Sequence, residues 1–306
     1  MDARTPGKGR ERRGEAGIDG PLISSRRGFF WVGVERVELP SGTFVRGPMF
    51  VSWEAPENPR HQDPVVLIHG GGGQGLDWLG TPDGRPGWAT YLVEDGYVVY
   101  VVDRPGHGRS PLHPEILGPM SLPLSYEICA GLFGFDDDSF ADQFMASQGP
   151  MLADIAAAQA LEQERGAELL DRIGPAILVS HSAGAPMGWL LSDARPGLVR
   201  AHVAVEPLGP PFREEGLSLP HGLTAVPLDL ARVSRVPIAL VTGDASPFAN
   251  FDHLTANFLQ DGGCSVDLIR LADHGIRGNG HGLVFEQNNR EVLGLILEWL
   301  ASHSSP

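Results

Sequence analysis

Five stretches of this sequence run apolar with hardly a break: PVVLIHG (64–70), YVVYVVD (97–103), AILVSH (176–181), AHVAVE (201–206) and PIALVTGD (237–244). A strand with one wet face alternates apolar and polar residues. These do not, so they predict strands covered on both faces, as in a parallel sheet. The segments between them read as helices. WATYLVEDG (88–96) ends in Gly96, and Leu152, Ile155, Ala156 and Ala160 form a stripe in a helix starting near Met151. APMGWLLSDA (185–194) is a further helix, and another lies around 252–260, before the strand SVDLIRLAD (265–273). A last helix carries Val292, Ile296 and Trp299 on one face, with Asn288 and Glu291 at capping-box spacing. Ahead of this alternation, 31–39 and 42–55 read as an antiparallel hairpin about a Pro-Ser-Gly turn. The expected fold class is α/β: a mostly parallel central sheet, helices on both faces, and an antiparallel hairpin at the amino end. Right-handed crossovers gather the strand-to-helix loops at one edge of such a sheet.

With 306 residues, 42% of them hydrophobic, the chain can bury a sizeable core. Residues 28–306 read as one domain. Residues 1–27 hold seven Arg or Lys against four acids with little apolar content, the composition of a disordered arm. From 104 to about 148 the text carries five prolines and no clear period, and 111 to about 148 reads as a lid insertion. Within it, Asp136-Asp137-Asp138 reads as a solvated turn. A formal charge of −15, with Lys8 the sole lysine, argues against nucleic acid as a partner. No stretch approaches the ~20 apolar residues of a membrane-spanning helix, nor is there a secretory apolar run, so the expected location is cytoplasmic. Cys129 and Cys264 match no zinc or redox spacing and read as packed thiols, with a single disulfide as the alternative. No HExxH or comparable cluster suggests a metal. The exposed edges of the hairpin leave room for a homodimer.

The stretch GPAILVSHSAGAP (174–186) asks more of the backbone than any other. A buried strand stops at Ser-His-Ser-Ala-Gly and turns at once into a helix. G-x-S-x-G elbows do this to expose a nucleophilic serine, and Ser182 stands at the centre of the pattern. Gly184 fits; Ser180 replaces the first glycine with another small residue. A serine hydroxyl needs a base, and the base needs an orienting acid. Of eleven histidines, His274 and His281 follow the last strand, where the order Ser, acid, His puts the base. His281, set between glycines in GNGHGLVFE, is favoured over His274, which comes straight off the strand. His69 and His181 lie inside the motifs and read as loop holders. Glu206 and Asp244 both end strands, and the residues alone leave the acid open between them.

Two readings compete for HGGGGQG (69–75). Gly70, Gly72 and Gly75 satisfy G-x-G-x-x-G, a dinucleotide fingerprint, but turn residues follow where a helix should open. In the other reading the glycines leave backbone N–H groups free to face an oxyanion, as in HGGG-type loops.

Taken together, VVLIHG, VVDRPGHGRS, the serine elbow and GHGLVFE occur in the order of the α/β-hydrolases, which the chain resembles from about 30 to 301. More closely it is similar to a small group of bacterial and fungal esterases whose acid is a glutamate after the strand that follows the elbow. Val205-Glu206-Pro207, GHGLVFEQNN and WVGVERVELPSGTFVRGPMFV carry that likeness. The resemblance implies Ser182 as nucleophile, His281 as base and Glu206 as acid, with oxyanion donors from Gly71, Gly72 and Ala183. Some of that group carry two adjacent cysteines where this chain has Gly71 and Gly72, so no disulfide is expected there. The implied activity is cleavage of a small-molecule carboxylic ester or lactone through an acyl-serine, without a cofactor, and falling below about pH 6.5 as His281 protonates. The same triad could cut a carbon–carbon bond or a thioester, and a binding module that kept the fold without turnover is a further alternative.

Overall fold

A computed structural model describes residues 23–135, 137–208 and 228–303. Eight strands form one sheet, in chain order β1 (Ser25–Val32), β4 (Met49–Pro56), β5 (Val65–Ile68), β6 (Val99–Asp103), β7 (Ala176–His181), β8 (Val199–Val205), β9 (Ile238–Thr242) and β10 (Val266–Arg270). A separate two-stranded ribbon joins β2 (Glu35–Leu39) to β3 (Gly42–Arg46). Across the sheet the order is β1-β4-β6-β5-β7-β8-β9-β10. Every neighbouring pair from β6 to β10 is parallel, and β1 and β4 close the other end antiparallel. The five apolar runs are β5 to β9, and all of β5, β7 and β9 is buried.

Both faces are covered, as the lack of alternation requires. Val65, Leu67, Val99, Val101, Ile177 and Val179 face a core with α2 (Trp88–Glu94) and α10 (Asn289–His303). Val66, Ile68, Val102 and Leu178 face the opposite core with α6 (Ile155–Ile173) and α7 (Ala185–Ala194). Beside α7, α8 (Leu230–Val233) and α9 (Asp252–Asp261) cover β8 and β9 through Val233, Ala256 and Leu259. One-turn α1 (Leu76–Leu79) follows the glycine loop, and the insertion folds into α3 (Pro114–Leu117), α4 (Tyr126–Phe133) and α5 (Asp138–Ser147).

The structure redraws several expected boundaries. The amino-terminal hairpin is two nested pairs: β2 with β3 about the expected turn, and β1 with β4 from Ser25 opposite Pro56 to Val32 opposite Met49. Gly33 and Gly47, at φ 70° and 49°, turn the chain between them. The buried Arg165 of α6 holds both turns, donating to the carbonyls of Gly47 and Arg46 at 3.0 and 3.2 Å and to the Glu35 carboxylate, just after Gly33, at 3.0 Å. A Cβ on Gly33 would lie 1.9 Å from its Cδ. β1 opens at Ser25, inside the stretch read as an arm; the rest of that stretch, 1–22, lies outside the described residues. α6 begins at Ile155, later than expected, because Asp154 caps it by accepting from the Ala157 N–H at 3.0 Å. Asp137 likewise caps α5 through the Phe140 N–H, where a solvated turn was expected. Asn288 makes no capping box: its side chain is paired with that of Asn279. Cys129 and Cys264 are both buried and free.

Candidate active site

The carboxyl ends of β5, β7, β8 and β9 bring the singled-out residues to one rim. β7 ends in His181, and the chain turns through Ser182 at φ 54° into α7. Only this residue and Glu206, at φ 49° after β8, hold a positive φ among the described non-glycine residues. Both conformations cost on the order of 1 kcal/mol or more, and such outliers cluster at functional sites. The elbow needs Gly184, since a Cβ there would sit 2.4 Å from the His69 carbonyl oxygen. Ser180 is tolerated in the first small position because its hydroxyl bonds to His202 Nε2 at 2.8 Å.

His281 reaches the rim from the loop between β10 and α10. Its Nε2 lies 2.8 Å from Ser182 Oγ, and its Nδ1 lies 3.2 Å from Glu206 Oε2. All three side chains are buried. With the carboxylate accepting from Nδ1–H, Nε2 carries the lone pair that faces the hydroxyl. Burial pushes the imidazole down to about 3, so it stands neutral near pH 7. Burial raises the Glu206 carboxyl, while hydrogen bonds from Ser246 and the Gly243 N–H, the latter at 2.6 Å, oppose the rise. With His281 Nδ1–H, three donors converge on the carboxylate and oppose the rise without cancelling it.

The alternatives lie elsewhere. Asp244 accepts from the Gly278 N–H at 2.7 Å and makes no hydrogen bond to an imidazole among the described residues. His274 is exposed in a short turn after β10. Sequence reasoning missed the residues that hold His281 in place. Glu286 accepts from the N–H groups of Gly280 and Gly282, at 2.9 and 3.2 Å, on either side of it. His181 Nε2–H donates to the His281 carbonyl at 2.9 Å, a loop-holding role of the kind expected from its place in the motif. Phe133 and Phe248 cover the imidazole, their ring centres 5.5 and 4.8 Å from its own. The single available signal was Glu286 itself, within GHGLVFEQNN.

The glycine loop packs directly against the elbow. A Cβ on Gly70 would stand 3.1 Å from Ser182 Cβ, and one on Gly71 would stand 3.2 Å from Ala183 Cβ. The N–H groups of Gly71 and Gly72 have no hydrogen-bond partner among the described residues. His69 fixes the loop by accepting from the Arg104 N–H at 3.0 Å and donating to the Gly70 carbonyl at 2.8 Å. Arg104 reaches the same carbonyl at 2.7 Å and pairs with Glu162 at the same distance. The dinucleotide reading fails on charge and geometry. The Gly75 N–H is taken by the Asp103 carboxylate at 2.6 Å, where a pyrophosphate would have to sit, and the following helix has one turn. Among the described residues no group of three or more His, Cys, Asp or Glu could hold a metal ion. None of their helices is long and apolar enough to cross a membrane.

A sharp strand-to-helix turn at Ser182 on a doubly covered parallel sheet, faced by an imidazole and a carboxylate from later loops, matches a hydrolase architecture. The family model for the alpha/beta hydrolase family matches residues 65–273, and the chain belongs to that family. It is 31% identical over 331 residues to a probable secreted lipase, phiG, of a fungal species (strain ATCC 74256), covering 89% of this chain and 88% of the relative. A novel bacterial esterase of known structure superposes with a TM-score of 0.75 at 25% identity, over 94% of this chain and 98% of that one. A highly thermostable carboxyl esterase from Bacillus coagulans shares the fold, with a TM-score of 0.52 at 11% identity over 93% and 100% of the two chains.

Proposed function

We propose that this protein hydrolyses a small-molecule carboxylic ester or lactone through an acyl-serine intermediate. The observation that carries the reading is the single imidazole bridging Ser182 Oγ and Glu206 Oε2. Ser182 Oγ attacks the acyl carbon as His281 Nε2 takes its proton. The oxyanion that forms accepts from the N–H groups of Gly71, Gly72 and Ala183. Collapse breaks the bond to the alcohol oxygen, which leaves with the proton from Nε2. Water, deprotonated in turn by His281, adds to the acyl-serine and frees the acid. Glu206 keeps Nδ1 protonated and balances the transient imidazolium. No step draws on a cofactor.

The insertion serves as the lid in this reading. The Leu132 carbonyl at the end of α4 accepts from the His281 N–H at 3.4 Å, and the Gly149 N–H donates to the Gly72 carbonyl at 2.7 Å. Phe133, Phe135, Phe140 and Phe144 pack with Phe285 over the site. Such a cover excludes water from the oxyanion while its helices can move as a unit.

Incubation with a fluorophosphonate probe should modify the wild-type chain at Ser182, found by mass spectrometry of the labelled peptide. Ser182→Ala should lose labelling and at least a thousandfold of p-nitrophenyl acetate turnover while melting as wild type does. Full turnover by that variant would end the proposal. An unlabelled wild-type serine would instead favour a binding module.

A further inference from the structure

The turn after β9 touches both the acid and the loop that carries the base. Its Gly243 N–H donates to Glu206 Oε1 at 2.6 Å, and a Cβ on Gly243 would stand 2.3 Å from the Asn279 carbonyl oxygen. The Ala245 N–H donates to that carbonyl at 3.0 Å, which ties the turn to the segment leading into His281. Buried Ser246 completes the arrangement. Its Oγ accepts from the Phe248 N–H at 3.1 Å, and Phe248 lays its ring against the imidazole. The Ser246 hydroxyl donates to Glu206 Oε2, the oxygen that also takes His281 Nδ1–H at 3.2 Å. A serine has one hydrogen to give, and the structure offers it no other acceptor among the described residues.

The charge on Glu206 depends on such donors. The carboxyl is buried, and no arginine is bonded to it among the described residues. Asp252 of α9 faces it with a charge that raises it further, although Arg270 of β10 pairs with Asp252 at 2.7 Å. Glu286 adds a second neighbouring carboxyl, His181 stands neutral, and Asp244 turns away to the Gly278 N–H with Arg277 3.9 Å off. The state of Glu206 decides which imidazole nitrogen holds the hydrogen. As an anion it accepts from Nδ1–H and leaves the Nε2 lone pair facing Ser182 Oγ, 2.8 Å away. Protonated on Oε2, it donates to Nδ1 instead; the imidazole hydrogen then sits on Nε2, and the base is lost. A hydroxyl aimed at Oε2 stabilises a full charge there more than it does a neutral acid.

We infer that Ser246 is a positioning residue: by donating to Glu206 Oε2 it keeps the acid ionised and His281 in the tautomer that serves Ser182. The inference rests on the ester-hydrolase reading and adds a residue to its machinery. Ser246→Ala should cut kcat on p-nitrophenyl acetate roughly ten- to a hundredfold at pH 6.5, the span of one hydrogen bond to a charged group, and leave KM within about twofold. Most of the loss should return by about pH 9, where the weakened acid ionises again. Ser246→Thr, which keeps the hydroxyl, should follow the wild-type pH profile. A packing role would lower the melting temperature and leave the profile in place, so a Ser246→Ala profile that lies on the wild-type one overturns the inference. Ring-nitrogen resonances of isotope-labelled histidine, assigned by difference with His281→Gln, read the tautomer directly. At pH 7 the wild-type His281 should carry its hydrogen on Nδ1, and Ser246→Ala should shift it towards Nε2. A wild-type hydrogen on Nε2 overturns the inference, and this arm stands even if Ser246→Ala fails to fold. Acetate turnover with an unmoved profile sinks the role of Ser246 alone. Absence of acetate turnover and of fluorophosphonate labelling sinks the ester-hydrolase reading and this inference with it.

Discussion

Ser182 and Glu206 are held in a backbone conformation that side chains avoid, and both point at one imidazole. Tight packing enforces this: Gly184 against β5 on one side, and the Gly243 and Ser246 donors on the other. The environment of His281 changes the pH dependence expected from an ordinary histidine. Because burial lowers its pKa, the neutral imidazole persists below pH 6.5. The kcat/KM of the free enzyme on p-nitrophenyl acetate should therefore keep more than half its pH 7.5 value at pH 5.5. A half-maximal point near 6.5 would show instead that the imidazole titrates as if exposed. In the sequence, Ser182, His281 and Glu206 each stood out as a polar residue at the end of an apolar strand or inside a glycine loop. The choice between Glu206 and Asp244 was not legible, because both end strands. The direction each carboxylate takes depends on the turn that follows. Nor was the bracing by Glu286 legible, since it holds backbone N–H groups whose positions exist only once the turn has formed.

At the scale of elements, the strands were the legible part and the insertion was not. A run such as 65–68 is buried whichever way its side chains point, so its sequence states its burial without ambiguity. Helices of four, eight and ten residues are too short to display a period against five prolines, and Phe133, Phe140 and Phe144 of the longer two point into an aromatic cluster that the fold assembles. The nested pairs of the amino end were hidden for another reason. Arg165, more than a hundred residues away, decides where the ribbon breaks. Through Phe133 the insertion also acts on chemistry, because that ring contributes to the desolvation of His281. Phe133→Ala should cost about 2 kcal/mol in urea unfolding for the partly buried ring it removes. It should also move the acid limb of kcat/KM upward, towards 6.5, by admitting water to the imidazole. A variant that loses stability while its acid limb stays in place would make Phe133 a packing residue only.

Across the whole molecule, the same burial that readies one histidine makes the fold sensitive to acid. His69 and His107 lie well below their usual range, and His181, His202 and His281 are pushed to about 3, in each case chiefly by burial. A depressed histidine pKa means that, between about pH 6.5 and 3, the unfolded chain binds protons the folded chain refuses. Stability therefore falls as the pH drops through that window. Asp77, raised to about 7, takes up a proton in the folded state, and Glu162, Glu206 and Glu286 shift in the same direction. They offset part of the loss, but five histidines outnumber them over most of the window. Each uncompensated proton is worth roughly 1.4 kcal/mol per pH unit, against a typical folding free energy of about 5–15 kcal/mol. Urea unfolding at pH 7, 6 and 5 should show the free energy dropping by several kcal/mol across the series at constant slope on denaturant. An unchanged free energy at pH 5 would mean that these imidazoles accept protons inside the fold, and with that the account of His281 as a neutral buried base would fail.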